Sequence, residues 1–90
     1  MTTTQRINQA AIACEHVANE AAFACEVYSN AMYYLNDAIA HNDAAGIDRE
    51  NAHAIDQMGI AYDAIDEALR TCDRLIQALN EARNELDPGL

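Results

Sequence analysis

Apolar residues recur along this chain at alternating steps of four and three. Ile7, Ala11, Cys14, Ala18, Ala21, Cys25, Tyr28, Met32, Leu35 and Ile39 form one such row. Ile55, Met58, Tyr62, Ile65, Leu69, Cys72, Ile76, Leu79 and Leu86 form a second, broken only by Arg83. A repeat of about 3.5 residues is the spacing of helices wrapped against each other. No Val/Ile/Thr-rich alternating run signals a strand. The pattern predicts an all-α fold: a long, coiled-coil-like antiparallel helical hairpin in which the two rows meet.

The only plausible turn lies between Ala40 and Asp48. The spacing places helix one over 5–42, the turn over 43–47 and helix two over 48–87, within a single domain spanning 1–90. Thr2 to Thr4 offer N-cap hydroxyls. Gly46 can take the left-handed conformation that ends a helix. Asp48 can cap helix two, with Glu50 and Asn51 in its first turn, and Asp87-Pro88-Gly89 stops it. A break near Ser29-Asn30, giving three shorter helices, is the alternative. A turn centred on Ala45 pairs positions whose numbers total 90. Leu35 then meets Ile55, Met32 meets Met58, Tyr28 meets Tyr62, and Cys14 meets Ile76, so that small residues tend to face large ones.

A further pair of rows flanks this seam. Ala10, Val17, Ala24, Ala31 and Ala38 line helix one; Ala54, Ala61, Ala68, Leu75 and Ala82 line helix two. Val27, Tyr34, Ala64 and Ala78 lie beside them. Two helices bury one stripe each, so this smooth apolar side is expected to stay open and to form an interface. The expected use is a homodimer, two hairpins making a four-helix bundle through Val17, Phe23, Ala24, Val27, Ala31, Tyr34, Ala61, Ala68 and Leu75. The competing use is a docking site for a hydrophobic helix of another protein on Phe23, Val27 and Tyr34.

Composition sharpens the picture. Among 90 residues there are 15 acids, five arginines and no lysine, for a formal net charge of -10. Phosphate contacts need clustered basic residues, so direct nucleic-acid binding is not expected. An anionic membrane surface is disfavoured for the same reason, and no apolar run approaches the ~18 residues of a membrane span. The natural partner is a protein with a basic surface. Helix two and the turn hold 11 of the 15 acids. Asp56, Asp63, Asp66, Glu67 and Asp73 form the candidate partner-binding face, imitating a nucleic-acid backbone in the basic site of a nucleic-acid-handling protein. The bland alternative is a solvated face that keeps the chain soluble. Small acidic helical proteins of phages and mobile elements, some anti-CRISPR inhibitors among them, are similar in size and charge, though no motif is shared.

Candidate chemistry is sparse. The three cysteines all lie on the apolar row and read as small buried hydrophobes in a reducing compartment. Cys14–Cys72 is the one pair that could bridge, if the helices bring it together. No signal peptide is recognised at Met-Thr-Thr-Thr-Gln-Arg, and a cytoplasmic protein is expected. Glu50 and His53 with Glu20 resemble the carboxylate–histidine sites of ferritin-like bundles. The seam phase, however, puts Glu50 and His53 on the outer face, so no metal or other cofactor is expected. Cys14, Glu15 and His16 point about 100° apart in succession and cannot share a site. His41 is placed to satisfy a carbonyl at the end of helix one. With no Gly-rich phosphate loop and no supported nucleophile, the chain reads as a non-enzymatic interaction protein.

Overall fold

Two helices account for the structure, a computed structural model that describes residues 2–86. Helix α1 runs Thr3–Ala40 and α2 runs Ala44–Leu86. The Asp87-Pro88-Gly89 stop lies outside the described residues. α1 passes through Ser29-Asn30 without a break, so the three-helix alternative falls. The helices lie antiparallel in a rod of 67 × 23 × 14 Å with a radius of gyration of 20.1 Å. A compact globule of this length would have a radius of gyration of about 12 Å.

Local chemistry explains each helix end. Thr2 caps α1 with a full capping box: its hydroxyl accepts from the Gln5 amide at 3.2 Å, and the Gln5 side chain accepts from the Thr2 amide at 2.8 Å. At the other end Asn42 takes the left-handed conformation, with φ 52°. The Asp43 amide donates to the Ala38 carbonyl and the Asn42 amide to the Ile39 carbonyl, both at 3.1 Å. This is the paired bonding of a Schellman ending, with Asn in the place usually held by Gly. His41 Nδ1 donates to the Asp37 carbonyl at 2.8 Å. Asp43 then caps α2, its carboxylate accepting from the Gly46 amide at 3.0 Å.

The turn therefore sits earlier than the sequence suggested. Gly46 lies inside α2 and has no positive φ, and Asp48 lies one turn into the helix. Gly46 answers to space: a Cβ built there would run into the Asp43 carboxylate. Moving the turn from Ala45 towards Asn42 slips the helices past each other by about one turn. Cys14 meets Cys72, positions totalling 86, instead of Ile76. Near the open end Arg6 pairs with Glu81 at 2.6 Å. The Thr3 hydroxyl meets the Glu85 carboxylate at 2.7 and 2.8 Å.

The slip comes with a change of buried face. The residues covered within the hairpin are Val17, Ala21, Ala24, Ala31, Leu35 and Ala38 of α1, and Ala54 and Ala61 of α2. Ala64, Ala68, Leu75, Ala78 and Ala82 continue the α2 row half-buried. Ala31, 2% exposed, centres a cluster with Leu35 and Ala54, against which Met32 and Ile47 pack. The small flanking rows thus form the hairpin interior, and the bulky row of α2 lies outside it. Tyr62 is 74% exposed and Leu69 68%, so the expected Tyr28–Tyr62 core layer does not form. Alanine at successive contact positions lets the backbones approach closely, since helix separation is set by the side chains between them. At the cysteine pair the Cα atoms are 4.7 Å apart.

That pair is a disulfide, Cys14–Cys72, and Cys25 is a free, exposed thiol. The reading of all three cysteines as reduced core residues is corrected for the bridged two by the register, which brings them face to face. For Cys25 the correction is one of burial.

Candidate interaction surfaces

Once the small rows are inside, helix geometry assigns every other position to a side of the rod. Residues one place after the contact rows lie about 40–100° around the helix. On α1 these are Ala11, Ala18, Ala22, Cys25, Met32 and Ile39; on α2 they are Ile55, Met58, Tyr62, Ile65, Leu69, Ile76 and Leu79. In an antiparallel pair the two sets share one broad side of the rod. All seven α2 residues are more than two-fifths exposed. Charge interrupts the α2 rows only at Asp48 and Arg83, near the two ends. The rows expected to hold the hairpin shut are thus its largest apolar surface.

The opposite side is mixed. It carries the Arg6–Glu81 pair, Glu20, Glu67 and Arg74 among Val27, Tyr34 and Ile60. At the turn end a shallow depression of about 360 Å³ is lined by Tyr34, Asp37, His41, Asp43, Arg49 and Glu50. Tyr33 and Tyr34 meet edge to face at 5.6 Å between ring centres.

Of the nine residues expected at a dimer interface, Val17, Ala24, Ala31, Ala61, Ala68 and Leu75 lie in the hairpin's own contact, buried or half-buried. They cannot also form an open face; this is a correction, and its cause is the register. Phe23 and Tyr34 are exposed and Val27 half-buried, all on the mixed side or its outer edge. The apolar patch expected from Phe23, Val27 and Tyr34 is therefore interrupted by charge.

Asp56, Asp63, Asp66, Glu67 and Asp73 are all exposed; Asp56, Asp63, Asp66 and Asp73 succeed one another along the face of α2 turned away from α1, and Glu67, one place before the contact residue Ala68, lies on the mixed side. From Asp56 to Asp73 the strip spans 18 residues of helix, roughly 25 Å. Asp66 is paired with Arg70 at 3.3 Å, and Asp73 accepts from the Gln77 amide at 2.9 Å. No ion pair is found for the other three among the described residues.

The metal set does not assemble. Glu20 pairs with His16 at 3.0 Å and Glu50 with its neighbour Arg49 at 3.4 Å. Among the described residues no three His, Cys, Asp or Glu side chains come together as a metal-binding group. Among the described residues no helix is long and apolar enough to cross a membrane.

The sequence reading missed the exposed position of the bulky α2 rows. The missed signal was side-chain size, because Ala-rich rows pack at short distance. No protein-family model matches the chain, and neither a curated protein nor a solved structure is similar enough to match it.

Proposed function

We propose that this is a non-enzymatic helical interaction protein, an inhibitor or adaptor whose acidic strip engages a basic site on a nucleic-acid-handling protein. One observation supports the reading: four carboxylates, Asp56, Asp63, Asp66 and Asp73, lie in sequence on the exposed outer face of α2 with Glu67 beside them, and among the described residues one of the five is paired with an arginine. Such a strip attracts a basic groove over a distance and sets the orientation of docking. In this reading the working unit is a four-helix bundle, with the apolar side inward and the acidic strips outward.

A second reading is favoured by the exposed Ile55-to-Leu79 rows: the hairpin receives an apolar helix of a different protein. Ionic strength separates the two, because a carboxylate contact weakens with salt and an apolar one does not. The test is capture of binding proteins from cells of the native source at 50 and 500 mM salt, identified by mass spectrometry. It compares the natural chain with Asp56→Asn/Asp63→Asn/Asp66→Asn/Glu67→Gln/Asp73→Asn. Basic nucleic-acid-binding proteins should be retained at low salt and lost both at high salt and with the neutralised variant. An unchanged set of captured proteins with that variant overturns the acidic-strip reading.

The cysteine bridge bears on location. Disulfides persist in oxidising compartments and are rare in the cytosol. A cytoplasmic protein would have to keep its hairpin with both thiols free.

A further inference from the structure

We infer that the broad apolar side of the hairpin is covered by a second copy of this chain. The inferred two-fold axis runs along the rod, so that α2 of each copy lies over α1 of the other. The inference rests on the four-helix reading above and specifies its face, its partner and its symmetry.

Area is the first argument. A compact protein of 9.9 kDa exposes about 5,200 Å². This chain exposes 6627 Å², about 1,400 Å² more. The side in question has a footprint of 67 × 23 Å, roughly 1,500 Å². A stable interface needs about 800 Å² from each partner, so one copy laid along this side covers what such a complex requires.

Shape is the second. The side is a ridge beside a trough. α2 contributes Ile55, Tyr62, Ile65, Leu69, Ile76 and Leu79, while α1 contributes the small Ala11, Ala18, Ala22 and Cys25 over most of its length. A surface that carries both halves of a fit is complementary to itself, which is the requirement of a two-fold interface. Rotation about the long axis sets each ridge over the other copy's trough. Rotation about a perpendicular axis would set ridge on ridge.

Charge selects the same axis. Asp66 and Asp73 border the ridge on its outer edge. Ridge on ridge would bring these edges together between two chains that each carry -10. Ridge on trough sets them beside the row Asn8, Glu15, Ala22, Ser29 and Asn36 that borders the α1 side, in which Glu15 is the one acid. Either axis makes every neighbouring pair of helices antiparallel, the arrangement of an up-down bundle, so ridge, trough and charge make the choice.

The test is the mass in solution of the disulfide-bonded chain, by light scattering at tens of micromolar. It is made beside Ile65→Asp/Leu69→Asp and beside Phe23→Ser/Tyr34→Ser. The natural chain should run at about 20 kDa, twice 9.9 kDa, as should the Phe23/Tyr34 variant. The Ile65/Leu69 variant should halve in mass while remaining helical by circular dichroism. A natural chain of 10 kDa overturns the second-copy assignment and leaves the acidic strip and the apolar-helix reading to be judged by their own salt test. A dimer that survives at Ile65/Leu69 but is lost at Phe23/Tyr34 overturns the choice of face. Spin labels on Ala45→Cys in a Cys25→Ser background read the axis. Both turns at one end, within about 25 Å given helix spacings of 8–10 Å, supports it; turns at opposite ends of the rod refute it.

Discussion

Removing the Cys14–Cys72 bridge is the perturbation with the largest consequence for one hairpin. The residues buried in the hairpin contact are mostly alanines, each contributing little more than a methyl group. The ion pair and hydroxyl contact beyond the bridge are exposed, and such contacts are worth about 0–1 kcal/mol. The bridge spans 58 residues. Chain-entropy reasoning for a loop of that length gives about 4 kcal/mol of stabilisation at 25 °C. A domain of this size loses about 4–8 °C of melting temperature per kcal/mol, so the expected fall is about 15–30 °C.

The assay is thermal unfolding monitored by helical circular dichroism at one fixed protein concentration, because any self-association makes the midpoint concentration-dependent. The natural chain is compared with Cys14→Ser/Cys72→Ser and with itself under a thiol reductant; both should fall together. Cys25→Ser, at the free exposed thiol, should leave the midpoint within a few degrees. A double variant that melts within about 5 °C of the natural chain would refute the reasoning. Helix packing alone would then hold the rod, and a reducing compartment would become compatible with the folded hairpin.

Three further substitutions test the local account. Asp43→Ala removes the carboxylate that caps α2 at the Gly46 amide and should cost about 1 kcal/mol in denaturant unfolding, with an unchanged m-value. Gly59→Ala should stabilise by about 1 kcal/mol, because Gly59 sits in the interior of α2 and a Cβ there meets nothing within 4 Å; a loss of stability would mean that the outer edge of α2 is covered. Ala31→Leu puts a large side chain at a contact position only 2% exposed, and should cost about 1–3 kcal/mol by overpacking. An unchanged unfolding midpoint for Ala31→Leu would show that the Ala rows are not the hairpin contact.

Helix content, chain direction and the Thr2 cap were legible because each depends on local signals: alanine content, hydroxyls before an apolar repeat and a single polar interruption. Register and face were not. Each helix carries two apolar rows with the same 3.5-residue period, and a period cannot say which row is innermost. The turn decides that, and its residues compete. Gly46 advertises a left-handed position, but Asn42 can adopt one too, and Asp43 directly after it can cap the second helix. Cys14 and Cys72 were the independent clue, since their numbers total 86, in step with a turn centred two residues earlier, on Asp43 rather than Ala45. The exposure of the five acids was legible because none of them falls on a contact row in either register.

A two-helix rod buries one stripe on each helix, and this chain has apolar residues enough for two. With the bulky rows inside, the alanines would face water at little cost. With the alanines inside, as they are, Ile55, Tyr62, Ile65, Leu69, Ile76 and Leu79 face it instead. The close approach at the bridge excludes side chains of that size from the contact, so the pairing that closes the hairpin also leaves its largest side chains exposed. The apolar side chains left open are therefore larger in the observed register than in the expected one, and they lie on α2 beside the small row of α1.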